Sequence, residues 1–128
     1  MHKTGLALAC VLAAAYFVTV PVANAQAGDA KTARGKMLYQ NRGCSSCHAV
    51  GHGGVSPDLA GLEQRRTKEW IYRWLKETEV MLASDSTAIA LAKEYNGARM
   101  PQQRLTDNDI DAILTYLRAL EAYKTKSK

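Results

Sequence analysis

No stretch of this 128-residue chain alternates apolar and polar residues as a half-buried strand would, and no segment repeats another. Strand-built and repeat architectures are thereby excluded, no second domain is indicated, and an all-α fold is expected. Dense Lys/Arg clusters interleaved with aromatics are missing too, so the formal charge of +5 does not indicate a nucleic-acid surface. A modest basic excess of this kind suits an acidic docking partner instead. Cysteine is scarce, with three in all, and long apolar runs are confined to the N-terminus.

The first 25 residues have the organisation of an export signal. His2 and Lys3 are the only basic groups, residues 5–20 are almost wholly apolar, and Ala23-Asn24-Ala25 offers a small-x-small cleavage site. Cleavage is expected after Ala25, giving a signal peptide over 1–25, a domain over 26–128 and a periplasmic location. An uncleaved anchor is the alternative, because the apolar run approaches the about 17–20 residues that cross a bilayer. Pro21 and the Ala-x-Ala pattern speak against it, and Cys10 would leave with the signal. The remaining 103 residues keep 16 of the 17 Lys and Arg and all 12 Asp and Glu, a formal charge of +4. A chain of that size is marginal for a purely hydrophobic core.

What the mature chain does have is Cys44-Ser45-Ser46-Cys47-His48. A CxxCH pentapeptide supplies two thiols that can form thioether bonds to porphyrin vinyl groups and, next in line, an imidazole that can reach the iron. CxxC alone is shared with zinc sites and thioredoxin-like redox pairs, and in an exported chain the two cysteines could form a disulfide. None of these requires the adjacent His48. A zinc site built from Cys44, Cys47, His48 and His52 would need all four ligands from nine consecutive residues. One covalent haem c, bound through Cys44 and Cys47, is therefore the expected cofactor, and its burial would supplement the small core.

Four helices are expected. The first covers residues 30–40, with Ala33, Met37 and Tyr39 or Gln40 on one side, and ends at Asn41-Arg42-Gly43 just before the haem motif. Gly51, Gly53, Gly54 and Pro57 make residues 50–61 an irregular loop. Thr67 can cap a second helix from 68 to about 82, whose Trp70, Ile71, Trp74, Leu75 and Thr78 share a face. Ser84 or Asp85 starts a third, with Ile89, Ala92 and Tyr95 facing inward and Asn96-Gly97 as a left-handed stop. In the last helix Thr106 and Asp109 resemble a capping box, and Leu105 and Ile110 fit a hydrophobic staple. Ile110, Ile113, Leu114, Leu117 and Leu120 form its apolar stripe, followed by Lys124, Lys126 and Lys128 as a solvated tail.

The second axial position separates electron transfer from ligand binding or catalysis. Met100, followed by Pro101, stands 52 residues after His48 in a loop between two expected helices. On spacing alone it could be either an iron ligand or a loop methionine filling a gap. Met81 and Met37 lie in expected helices, where a core role is the default. His52 is too close to His48 to cross to the other side of a ring.

The segments Met37-Leu38-Tyr39-Gln40-Asn41-Arg42-Gly43-Cys44-Ser45-Ser46-Cys47-His48, Pro57-Asp58-Leu59, Tyr95-Asn96-Gly97-Ala98-Arg99-Met100-Pro101 and Leu114-Thr115-Tyr116-Leu117 together resemble the small monohaem class I c-type cytochromes. The resemblance spans residues 30–120 and implies that Met100 is the distal ligand opposite His48. It implies that the Pro57 carbonyl orients the His48 imidazole, although Ser56 stands where related proteins often have Gly. It further implies that Gly35 and Tyr39 meet Tyr116 where the first and last helices cross. Trp70 or Trp74 could hydrogen-bond a haem propionate or simply belong to the core, and Arg65, Arg66 and Lys68 could offset propionate charge or be solvated. With both axial positions filled by protein, the expected role is one-electron relay between periplasmic redox proteins and not catalysis, by a monomer with no nucleic-acid partner and no membrane insertion after cleavage. The rival readings are a gas-binding or peroxidase-like haem protein with a labile distal ligand, and a fixed electron-transfer subunit of a larger oxidoreductase.

Overall fold

The computed structural model describes residues 23–126 except Gly53, with side chains from Gln26 onward. The described residues are all-helical: α1 (Ala23–Asn41), a 3-10 turn (Cys44–Ser46), α2 (Leu62–Arg65), α3 (Lys68–Lys76), α4 (Thr78–Ser84), α5 (Ser86–Glu94) and α6 (Asp107–Lys126). The expected signal segment lies outside the described residues apart from residues 23–25, which open α1.

Packing of α1 against α6 is the most extensive contact in the chain. It depends on Gly35. A Cβ built there would stand 1.9 Å from the Ala112 carbonyl oxygen and 2.6 Å from its carbon, so only a residue without a side chain lets the two backbones approach this closely. One turn on, Tyr39 and Tyr116 pack with ring centroids 5.6 Å apart, as expected, and Arg34 reaches Asp109 at 2.5 Å. The centre of the crossing also decides which face of α1 is buried. Tyr39 is buried and Leu38 packs beside it, whereas Ala33 is exposed and Met37 is 51% exposed, contrary to the face read from the sequence.

The start of α6 is built as its sequence indicates. The Thr106 hydroxyl accepts from the Asp109 backbone N–H at 3.2 Å, and the Asp109 carboxylate accepts from the Thr106 N–H at 3.0 Å. Leu105 and Ile110 are both buried beside it. The bonds from Thr106, helped by Arg34, draw the Asp109 carboxyl down to about 2. Thr67 caps α3 by accepting from the Trp70 N–H at 3.2 Å, and Asp85 caps α5 by accepting from Ala88 at 2.9 Å. At the other end of α5, Asn96 and Gly97 have positive φ, and their N–H groups donate to Lys93 and Ala92, which closes a Schellman motif.

Three expectations about helices are corrected. The helix expected from 68 to about 82 is two, because Glu77 leaves helical geometry at φ −131° and ψ 38° and serves as C-cap of α3 and N-cap of α4. The Thr78 hydroxyl, fully buried, bonds back to the Trp74 carbonyl at 2.7 Å across this corner. Helix α1 begins at residue 23, seven residues before its amphipathic part, in a stretch whose described side chains are exposed. In α5 Ala88 is fully buried and Ala92 and Tyr95 line the cavity described below, as expected of the latter two, while Ile89 is 46% exposed, because the break at Asp85 sets the direction of this helix and its neighbours meet the Ala88 face. The tail is also less free than expected: α6 runs to Lys126, and the Lys124 ammonium donates to the Val50 carbonyl.

Gly35→Ala should destabilise the protein by about 1–3 kcal/mol, because the added methyl meets backbone and not a side chain that can swing away; chemical denaturation of the purified protein measures this. Asp109 supplies a pH test. Its carboxyl, lowered from 3.8 to about 2, contributes stability that is present above pH 4 and is lost as the pH falls towards 2. The wild-type melting temperature should drop through that window, and Asp109→Asn should flatten the drop.

Candidate functional site

Between α1, the loop after it, α3, α5 and α6 lies a mainly apolar cavity of about 320 Å³. Its wall carries Cys44, Cys47, His48, Pro57 and Met100, so the structure brings every residue of the expected site to one place. Gly43, at φ 75°, ends α1 and turns the chain into the 3-10 helix holding Cys44. The His48 N–H then donates to the Cys44 carbonyl at 2.9 Å, so the CxxCH segment is one closed turn. Cys44 is half-buried and burial pushes its thiol up, while Cys47 is exposed; both are free thiols.

His48 is fixed from two sides, at its ring and at its backbone. His48 Nδ1 stands 3.0 Å from the Pro57 carbonyl oxygen, which can only accept, so Nδ1 carries the proton and Nε2 keeps the free lone pair. The buried Tyr39 hydroxyl donates to the His48 backbone carbonyl at 2.7 Å. Desolvation raises that phenol to about 12, which keeps it a neutral donor. The loop bearing Pro57 is pinned in turn. Asp58 Oδ1 accepts from Gly51 and Ala60, both at 2.8 Å, and Arg65 donates to the Asp58 carbonyl at 2.6 Å and to that of Ala60. Asp58 and Tyr39 were not singled out for these roles, although Asp following Pro57 in a glycine-rich loop is a turn signal that could have marked the former.

Met100 comes from the segment between α5 and α6, and the Trp74 Nε1–H donates to its sulfur at 3.1 Å. Trp70 lies parallel to Trp74, with centroids 5.5 Å apart, and its own N–H donates to Asp85 at 3.3 Å. Both indoles are thus committed to protein partners, and neither points a free N–H at a propionate. Arg65 is spent on the Pro57 loop and Lys68 on Asp111 at 3.2 Å. Arg66 differs, since it stacks over Trp70 at 5.4 Å on the cavity wall and leaves its buried Nε without a partner. An orphaned guanidinium N–H beside an apolar slot suits an anionic edge on an otherwise apolar ligand, which is the character of a haem. Met81, the competing methionine, is fully buried away from the cavity wall. Among the described residues no three His, Cys, Asp or Glu side chains are gathered to hold a metal ion, so the zinc arrangement with His52 is not formed.

A helical fold with an apolar slot, two thiols at one edge and an oriented imidazole on its wall defines a haem-carrying protein of the c type. The chain matches the cytochrome c family over residues 32–121, and it belongs to that family. Among solved structures, the cytochrome c of Rhodothermus marinus is 26% identical with a TM-score of 0.66, over 74% of this chain and 80% of that one. The cytochrome c domain of a Pseudomonas putida protein is 37% identical with a TM-score of 0.62, over 72% of this chain and 92% of that domain. An engineered form of the Rhodothermus protein bound to a carbene intermediate is also similar, at 26% identity and a TM-score of 0.61, over 73% of this chain and 80% of that one. No curated protein matches. Family membership makes the chain a haem c protein of electron transfer.

The tether on the His48 backbone is open to test. Tyr39→Phe keeps the ring packing and removes the donor to the His48 carbonyl, so it should cost about 1–3 kcal/mol of stability for the buried carbonyl left unpaired, with folding retained; thermal denaturation reads this.

Proposed function

We propose that the mature chain is an exported, periplasmic one-electron carrier that holds one haem c through Cys44 and Cys47, with His48 and Met100 as axial ligands. The observation that carries this reading is that His48, with Nδ1 committed to the Pro57 carbonyl, and Met100, with its sulfur held by Trp74, line the same apolar cavity bounded by the two thiols. Haem c, when bound, supplies an iron centre that exchanges a single electron, and thioether ligation favours its reduced state. The protein's part is to hold two ligands still. His48 is fixed at its ring and its backbone, and Met100 at its sulfur, so neither needs to move when charge changes. The low dielectric of the cavity disfavours the more highly charged oxidised form, and Arg66 offers its unpaired Nε–H to the anionic edge.

With two side chains serving as ligands, no position is left for a substrate, so the chain works as a relay and not as an enzyme. Encounters with donor and acceptor would be transient and salt-sensitive. Arg42 and Arg65 border the cavity, the latter bonded only to backbone carbonyls that leave its charge unneutralised, and they favour acidic surfaces on periplasmic redox partners, whereas Arg99 is paired with Glu79. Trapping by a like-sized acidic protein should therefore weaken steeply with ionic strength.

Met100→Ala should open the iron to carbon monoxide, abolish the ferric methionine-to-iron absorption band and lower the reduction potential, all read on the purified holoprotein. Met81→Ala should leave that spectrum intact while costing about 2–5 kcal/mol of stability for the cavity it creates. If instead Met81→Ala opens the iron and Met100→Ala does not, the ligand assignment is wrong. A carbon monoxide adduct in the unmutated protein would favour the gas-binding reading.

A further inference from the structure

The loop that aims the Pro57 carbonyl at His48 is fastened by a residue far from it in sequence. Its two limbs are joined at the base: the Leu59 N–H donates to the Ala49 carbonyl at 3.1 Å, and one step further out the Gly51 N–H donates to Asp58 Oδ1 at 2.8 Å. Beyond these cross-links Gly51, His52, Gly54 and Val55 are exposed, so the base carries the loop. Val50 lies between the two cross-links with its side chain in the core, and its carbonyl accepts from the Lys124 ammonium in the last turn of α6. The Lys124 stem lies along Gly51. A Cβ built on that glycine, which has φ 86°, would stand 3.5 Å from Lys124 Cδ and 3.6 Å from Nζ. Arg65 binds the other limb, at the carbonyls of Asp58 and Ala60, so each limb is held by one cation from a different helix.

The two ends of α6 therefore set the two halves of the contact at His48 Nδ1. Near its start α6 meets α1 at Gly35 and Ala112, and α1 leads into the turn that carries the His48 backbone. Twelve residues on from Ala112, about 18 Å along the axis, Lys124 holds the limb to which Asp58, next to Pro57, is bonded. We infer that Lys124 is a positioning residue for His48: it fixes the Val50–Gly51 turn, so that Asp58 and the Pro57 carbonyl keep the imidazole in one orientation with Nε2 left free for a metal. The inference rests on His48 as an axial ligand, as proposed above, and goes beyond it. An acceptor at Nδ1 makes Nε2 more basic and fixes the direction of its lone pair only if the acceptor itself stays in place. The long lysine stem suits this task, because it spans from the helix to the loop while its ammonium meets a carbonyl that would otherwise have to be solvated.

The test uses uniformly 15N-labelled ferrous holoprotein and compares, by NMR, the solvent exchange of the His48 Nδ1–H with that of the Ile113 backbone N–H, which is buried in the middle of α6 and reports opening of the whole core. Lys124→Met keeps the apolar stem and removes the donor. It should raise the ratio of the two rates about tenfold, and Lys124→Arg, which can still donate to the Val50 carbonyl, should restore it. A purely structural role would speed both sites together and leave the ratio where it was. If Lys124→Met yields no holoprotein, Lys124→Gln, one bond shorter and still polar, gives the same comparison. A ratio unchanged when the ammonium is removed, or one that Lys124→Arg fails to restore, overturns the inference and leaves the ligand assignment intact. If the His48 ring of the unmutated protein lacks the upfield ring-current shift of a haem-bound imidazole, the ligand assignment and this inference fall together.

Discussion

The backbone contact between Gly35 and Ala112 is the constraint on which the rest of the structure depends. Two helices that cross without an intervening side chain have little freedom to slide, and the aromatic pair Tyr39–Tyr116 and the ion pair Arg34–Asp109 secure the crossing on either side. The crossing orients the apolar stripe of α6, whose Ile110, Ile113, Leu114 and Leu117 form half of the main cluster of buried residues. It also fixes where α1 ends. Because Gly43 and the CxxCH turn follow α1 directly, the place of Cys44, Cys47 and His48 is set by a contact two helical turns upstream.

Around the cavity, apolar walls and polar fastenings have separate tasks. Ile113, Leu117, Leu91 and the two indoles supply surface and exclude water, while among the described residues every buried side-chain polar atom but one has a partner. Pro57 spends its carbonyl on His48, Tyr39 its hydroxyl on the His48 backbone, and Asp58 its carboxylate on the turn that carries Pro57. Such commitments cost little in a rigid site, and they keep the ligand geometry constant when charge changes. The exception, the Arg66 Nε, stands where an anionic group would complete the set.

Short-range features were legible because their chemistry is local. The CxxCH spacing, the Thr106–Asp109 capping box, the Thr67 cap and the Asn96-Gly97 stop each involve residues within a few positions of one another, and each has the expected local geometry. The corner at Glu77 was not legible, since it contains neither glycine nor proline and the apolar spacing runs through it from Trp70 to Thr78 without interruption. Ile89 and Met37 were placed inward for the same reason: periodicity says that a helix has two faces, but which face is buried depends on the neighbour it meets.

The sequence by itself determined the helical class, the positions of most helix ends and the identity of the thiols and imidazole gathered at the site, because caps, turn residues and a pentapeptide act over distances the chain spans locally. Only the tertiary structure decided that Trp74 serves the Met100 sulfur and not an anionic edge, that Arg66 and not Arg65 or Lys68 is left with an unpaired donor, and that Met81 is core. Each of those outcomes depends on which groups from distant segments arrive first within hydrogen-bonding distance. That competition is settled by helix crossing and packing, and a linear pattern of residues does not record it.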